Sequence, residues 1–397
     1  MSRRPIVLVT HSYFDEDPRL RREADALLAS NRDVDVLALR RPGEPPLGVV
    51  GGAHVHRLDV SRHQGAGIRT YLGEYVGFFA RAAAQLARDQ RRRRYALAQI
   101  ATLPDWLVFA GLPLRLTGVP LVIDLHEAMP EFFASRFPRA SGGAVQATLM
   151  ATERASIAAA THAIAANAAL RDRLIRLGVQ PARISVVPNV PSLARFNPAR
   201  QPARAFMADG ILRLVYAGAL SPIYEVDVAI AAVARLRESR PGLPLRFEIY
   251  GRDFGERPLP GLVREAGLED VVTFHGRIPI EDVPAAIAAA DIGLSPTARS
   301  QFTDLSVSTK ILEYGAMGKA VVASRLPTVM DTFRANELVT YEPGDAASLS
   351  AAVLHVVDEP HERQVRIQAM LGRADELSWE REAPRYTELI DRFARPD

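Results

Sequence analysis

Twice along this chain, short apolar runs alternate with longer stretches whose apolar residues recur at helical spacing. In the first half, apolar runs at 6–10, 34–39, 55–58, 96–100, 120–125, 163–166 and 184–187 are separated by helical patterns at 17–29, 67–91, 106–115, 143–160 and 168–177. The pattern at 17–29 is typical, with Leu20, Ala24, Leu27 and Leu28 on one side. Strands that alternate with helices pair parallel, because the crossover helix returns the chain to the same end of the sheet. The Pro- and Arg-rich string VPNVPSLARFNPARQPARA then breaks all periodicity and reads as a linker. A second series follows, with strands expected at 212–216, 245–250, 271–274, 292–294, 320–323 and 338–341 and helices at 226–238, 259–266, 282–290 and after 306. The expected fold class is α/β: two Rossmann-like doubly wound parallel-sheet domains facing a cleft, one over 1–190 and one over 191–378, with a helical tail from about 346 and a terminal helix over 379–397.

Composition narrows what such a chain can do. At 397 residues it is longer than one core usually supports, which fits two domains. A net charge of +3 gives no global field for nucleic acid. The absence of cysteine excludes disulfides, thiolate metal sites and Cys nucleophiles, and suits a reducing cytoplasm. The apolar run near the amino terminus is too short for a signal-peptide core or a membrane span, so an unprocessed, soluble, cytoplasmic chain is expected.

The richest chemistry lies in TDLSVSTKILEYGAMGKAVVAS, residues 303–324. On one continuous helix, Ser306, Lys310 and Glu313 stand at i, i+4 and i+7 and share a face, while Ile311, Leu312, Gly315 and Ala316 form the apolar face opposite. Gly318 suits the helix stop, and Ala320, Val321, Val322 and Ala323 suit a strand buried on both faces. That puts the helix beside the carboxyl end of a sheet, where open α/β folds bind ligands. Free amides around Ser306, Ser308 and Thr309 favour phosphate, Lys310 adds charge, and Glu313 can accept hydrogen bonds from a diol. Together they suit a nucleoside diphosphate; an exposed ion pair on a surface helix is the plain alternative.

Three further features carry candidate chemistry. His126 follows the strand at 120–125 and can donate to a sugar hydroxyl or a developing charge, with Glu127 as a candidate partner; a capping role is the alternative. The strings Asp15-Glu16-Asp17 and Asp33-Val34-Asp35 could suggest a metal, but the first can cap a helix and the second flanks a buried valine on a strand, so no metal is expected. The run Arg91, Arg92, Arg93 and Arg94 follows a helix carrying Tyr71, Tyr75, Phe78 and Phe79, which suits either peripheral contact with anionic lipid or a helix packed on the sheet with a solvated end.

KILEYGAMGKAVVAS resembles the nucleotide-binding element of retaining family-4 (group 1) glycosyltransferases of the GT-B fold. The resemblance extends over nearly the whole chain, through THSYFDEDPRLRREADALL, VIDLHEAMPEFF, YAGALSP, EIYGRD, VTFHGRIP and AADIGLSP in the family's order. It implies a nucleotide-diphosphate sugar as donor and an acceptor hydroxyl, for instance on a lipid-linked saccharide or cell-surface polysaccharide precursor. It also implies no essential metal, and a terminal helix that crosses back onto the first domain. Glu313 falls at the ribose-binding glutamate, Lys310 at the phosphates, His126 at the active-site histidine, and Gly218 and Arg277 beside the pyrophosphate. Four positions depart from the pattern. Leu305 stands where many members carry another glutamate, and Ala219, Tyr224 and Glu225 stand where an Arg and a Lys-Gly neutralise the pyrophosphate. Leaving-group stabilisation then falls to Lys310, Arg277 and backbone amides. A catalytically impaired nucleotide-binding or scaffold protein stays open as an alternative, as does a phosphorylase or epimerase of the same architecture.

Overall fold

The apolar runs become the strands of two separate sheets in the computed structural model, which describes residues 4–60, 68–252 and 258–394. The expected helix start at Gly67, Asp253 of EIYGRD, the first three residues and the tail at 395–397 lie outside the described residues. The chain divides into two compact units: Met1–Asn189 with Glu382–Asp397, and Val190–Arg381.

In the first unit, strands β1 (Ile6–Val9), β2 (Val34–Leu39), β3 (Leu47–Val50), β4 (Ala53–Leu58), β5 (Leu97–Ala101), β6 (Leu121–Leu125), β7 (His162–Ala165) and β8 (Ile184–Val186) form one sheet in the order β3-β4-β2-β1-β5-β6-β7-β8. Every pairing is parallel except β3 with β4. The edge strand β3 was not expected: Leu47 and Val49 stay 61% and 64% exposed, so it lacks the buried apolar run that marks the others. Helices α1 (Pro18–Ala29), α2 (Ile68–Arg93), α3 (Leu112–Leu116), α4 (Met129–Arg136), α5 (Gly143–Ala159) and α6 (Ala168–Arg176) connect them. The helix expected at 106–115 is instead a 3-10 segment, Asp105–Gly111, leading into α3. Pro113 has no amide proton and fits only the first turn of a helix, which is where α3 places it.

The acidic strings serve this framework. Asp17 caps α1 by accepting from the Leu20 amide at 3.1 Å, and Asp15 and Glu16 bind Arg41. Asp35, buried in β2, receives Arg93 through two nitrogens at 2.8 and 2.6 Å and the Tyr95 hydroxyl at 2.9 Å. One arginine of the basic run is therefore an internal ion-pair partner, while Arg91, Arg92 and Arg94 are exposed. The aromatic face of α2 packs inward too, with Phe78 buried and Tyr75 and Phe79 against Trp106.

In the second unit, strands β9 (Leu212–Ala217), β10 (Leu245–Tyr250), β11 (Val272–Gly276), β12 (Ile292–Ser295), β13 (Ala320–Ser324) and β14 (Val339–Tyr341) form a fully parallel sheet ordered β11-β10-β9-β12-β13-β14. Helices α7 (Val226–Ser239), α8 (Leu259–Glu265), α9 (Val283–Ala288), α10 (Thr309–Ala316), α11 (Pro327–Thr332), α12 (Ala346–Asp358) and α13 (Pro360–Glu376) belong to it. The last helix, α14 (Trp379–Phe393), begins in this unit and ends in the first. No described helix is long and apolar enough to cross a membrane.

Among the described residues, one buried carboxyl in the first unit finds no hydrogen-bond partner. Asp105 is fully buried, neither of its oxygens receives a hydrogen bond, and burial together with the Glu153 charge pushes its pKa well above the ordinary carboxylate range. Above that ordinary range the unfolded chain has released this proton while the folded chain still holds it. Stability therefore falls as pH rises toward the elevated pKa, by up to about 1.4 kcal/mol per pH unit. Asp105→Asn removes the ionisation, and urea unfolding between pH 5 and 8 should give a shallower loss of stability than the parent. Identical pH slopes would show that Asp105 ionises as easily folded as unfolded.

Candidate functional site

The strand order of the second unit reverses between β9 and β12, and α10 follows β12 at that switch, where the carboxyl ends of parallel strands leave room for a ligand. Tyr314 seats the helix. Its ring is fully buried, its hydroxyl accepts the Ala217 amide at 3.0 Å, and Gly293 in β12 makes space, since a Cβ there would lie 2.3 Å from the ring. Gly318, with φ of +67°, follows the helix.

Lys310 is not on an exposed face. It is buried and crosses Gly218, whose missing Cβ would meet Lys310 Cε at 2.2 Å, and its ammonium stands 3.8 Å from the centroid of the Tyr224 ring and 5.4 Å from that of Tyr216. The aromatic faces supply part of the stabilisation that water would give the cation. Burial lowers the lysine pKa to about 8, with the Glu313 charge opposing the fall. Glu313 lies partly exposed one turn along.

The continuous helix expected from Ser306 does not form. Residues 303–305 make a 3-10 turn, Ser306 is extended (φ −118°, ψ 141°), and α10 starts only at Thr309. The Ser306 hydroxyl donates to Phe302 O and its carbonyl accepts from the Thr328 hydroxyl at 2.7 Å, so it is held out of the helix and off the Lys310–Glu313 face. Ser308 occupies the N-cap position, but its buried hydroxyl makes no capping bond and finds no partner among the described residues. Arg277 is exposed just beyond β11, two strands from β9. Of the predicted group, Ser308 and Thr309 open α10, Lys310 beside them crosses Gly218 and Glu313 follows one turn on, while Ser306 and Arg277 stand apart. The departures from the family pattern have their own uses: Ala219 O accepts the Tyr216 hydroxyl at 2.5 Å, Tyr224 underlies Lys310, and Glu225 accepts the Gly344 amide at 2.8 Å.

In the first unit, His126 follows β6 with its amide on the Thr102 hydroxyl at 3.2 Å. Its ring partner is Asp124, not Glu127: Nε2 lies 3.0 Å from Asp124 Oδ2. Asp124 is fully buried, and Arg19 of α1 donates to it through Nε at 3.1 Å and Nη2 at 2.7 Å. Gln99 donates to Glu23 at 2.7 Å and to Asp124 at 3.3 Å, and the Tyr386 hydroxyl of α14 donates to Gln99 at 2.8 Å. Burial would push the Asp124 carboxyl up, but Arg19 and His126 outweigh it and hold it below the usual range. Glu23 is pushed up to about 8 by burial and by Asp124. Burial would lower His126, yet Asp124 raises it. The sequence carried one signal for this network, a carboxylate inside the apolar strand LVIDL.

The family model described as "Glycosyl transferase 4-like domain" matches residues 17–190, and that described as "Glycosyl transferases group 1" matches 212–359. The D-inositol 3-phosphate glycosyltransferase of Pseudarthrobacter chlorophenolicus is 30% identical over 212 residues, 52% of this chain and 49% of that enzyme, so the match spans about half the relative's length. Among solved structures, sucrose-phosphate synthase from Thermosynechococcus elongatus superposes with a TM-score of 0.79 at 19% identity over 98% of this chain and 99% of its own. Anabaena HepE in complex with UDP-glucose does so at 0.72 and 15% identity, over 98% and 99%. With two parallel α/β units and a family match in each, the chain belongs to the group 1 glycosyltransferases of the GT-B fold.

Proposed function

We propose that the protein transfers a sugar from a nucleotide-diphosphate sugar to an acceptor hydroxyl, with retention at the anomeric carbon. The observation that carries this is Lys310, crossing Gly218 with Glu313 one turn on, at the switch point of the second sheet. HepE, which shares the fold, was solved with UDP-glucose, which makes a uridine diphosphate sugar the first donor to test. Lys310 and the amides opening α10 meet the diphosphate, Glu313 accepts from the ribose diol, and His126 donates to a sugar hydroxyl. No protein nucleophile is assigned. The leaving phosphate takes the acceptor's proton on the face it departs from, so the protein contributes positioning and charge stabilisation.

A thermal-shift panel of nucleoside diphosphates and nucleotide sugars, followed by a transfer assay with the best binder, tests the proposal. Binding without transfer would favour the scaffold alternative, and phosphate-dependent turnover without transfer a phosphorylase. The acceptor relatives name differ from one to the next: D-inositol 3-phosphate for one, a sucrose-phosphate product for another. For this chain we propose a lipid-linked saccharide or polysaccharide precursor, reached through peripheral contact of the first unit with a membrane's inner face. Exposed Leu72 and Val76, one turn apart on α2, and exposed Arg91 and Arg92 at its end support it. No essential metal is assigned, since the acidic strings are engaged by Arg41, Arg93 and the α1 cap.

Four outcomes follow. In calorimetry, Lys310→Ala and Glu313→Gln should each cost about 1.5–3 kcal/mol of nucleoside diphosphate affinity, and Tyr224→Leu about 0.5–2 kcal/mol through loss of the aromatic seat. A bound diphosphate favours the charged lysine, so affinity in the parent should fall as pH rises through about 8 and lose that dependence in Lys310→Ala; parallel pH profiles would take Lys310 off the phosphates. Transfer should persist in EDTA, and loss restored by magnesium or manganese would assign a metal after all. Arg91→Gln with Arg92→Gln should weaken flotation with anionic vesicles by about 1 kcal/mol per residue, Arg93 being left in place because it holds Asp35. Equal flotation of variant and parent would return the run to a solvated helix end.

A further inference from the structure

We propose that Asp124 is the positioning residue of the histidine in the first unit: it holds His126 by Nε2, keeps the ring as an imidazolium, and so leaves Nδ1–H as the donor offered to a ligand oxygen. The ligand's identity as a sugar rests on the transfer reading above. The state of the ring is a property of the protein alone.

Geometry selects the nitrogen. A carboxylate oxygen 3.0 Å from Nε2 can only accept, so Nε2 carries a proton and Nδ1 is the free atom. In the neutral ring Nδ1 would then be an acceptor; in the cation it is a donor. The surrounding charges choose the cation. Asp124 and Glu23 are both fully buried, and Arg19, also buried, is the guanidinium that meets both, with two bonds to Asp124 and a 3.2 Å contact to Glu23. Asp124 therefore stays ionised and Glu23 takes a proton first, which leaves the anion on the carboxyl that His126 faces. Asp17, the cap of α1, adds negative charge, Arg19 acts in the opposite sense, and the adjacent Glu127 is pushed up by burial but drawn down by the ring. The balance across α1, β6 and the His126 loop raises the histidine above its ordinary range.

Two consequences separate this from a histidine acting as a base. The ring is a charged donor, suited to an electron-rich oxygen such as a sugar hydroxyl, and its contribution disappears as pH rises and Nδ1 loses its proton. Support for the anion also reaches back through Gln99 to Tyr386, so a hydroxyl near the chain's end belongs to the same network.

The test is a 15N NMR titration of the full chain, with the His126 signal identified by its loss in His126→Gln. In the parent, His126 should titrate above about 6.5 with Nε2 protonated throughout. In Asp124→Asn its proton affinity should drop at least tenfold. A parent midpoint at or below about 6.5, or an unchanged midpoint in a folded Asp124→Asn, would overturn the proposal. If the buried substitution prevents folding, the parent titration still decides. Where transfer is measurable, Asp124→Asn should move the alkaline limb of kcat to lower pH, whereas a structural role would depress kcat equally at every pH. If the parent transfers no sugar, the functional reading fails while the titration still settles the ring.

Discussion

The first unit depends on one buried guanidinium. Arg19 sits in α1, where Leu20, Ala24 and Leu27 are also buried, and from there reaches Asp124 in β6, Glu23 one turn along and the Val187 carbonyl beyond β8. Burying an ionised arginine beside two carboxyls is costly unless every donor is used. Here the geometry is bidentate and the network extends through Gln99 of β5 to Tyr386 of α14. Removing any charged member would strand its partner in a dry interior, so helix, strands and final helix are fixed relative to one another by charge as well as by shape. The same interaction that locks the unit points a carboxylate oxygen at the partly buried His126.

The second unit reaches its polar site by another route. Tyr314 is driven through the gap left by Gly293, which fixes where α10 begins and hence where Lys310 passes Gly218. Among the described residues, no carboxylate is as close to that ammonium as Asp124 is to Arg19; two tyrosine faces serve instead. A π face stabilises a cation without cancelling its charge, so Lys310 keeps its attraction for an incoming anion. A full salt bridge would have to be broken first.

How far the sequence could be read follows from the range of the forces involved. Strand β10 was expected with the bounds it has, because a buried strand's apolar run is a local property. The start of α10 was misplaced for the opposite reason. Ser306, Lys310 and Glu313 keep helical spacing in the sequence whatever the backbone does, while Thr328, twenty-two residues on, ties down the Ser306 carbonyl. Lys310 was expected to point out of the core because it lies opposite the apolar face of Ile311 and Leu312, and nothing local announces that Tyr216 and Tyr224 will stand under it. Asp124 could have been found, since a carboxylate within an apolar parallel strand needs a buried partner. Its partner Arg19 lies 105 residues away, and Tyr386 lies 287 from Gln99. The ribose, phosphate and sugar contacts given to Glu313, Lys310 and His126 rest on the chemistry of those residue types and on the resemblance.

Tyr224 shows why the missing cations at the proposed diphosphate site are not simply a loss. A second ammonium at that position would approach Lys310 within a few ångströms, and in the empty site the two would repel and push one another toward the neutral form. The ring avoids that conflict: it holds a single cation in place over Gly218, and the partly exposed Glu313 supports the charge from one turn away. Burial has already brought the lysine to about 8, so in the proposed role an arriving diphosphate secures a proton that Lys310 alone holds only weakly in mildly alkaline solution. Part of the binding free energy is then spent on that proton, and the site trades number of charges for one charge whose position and protonation respond to the ligand.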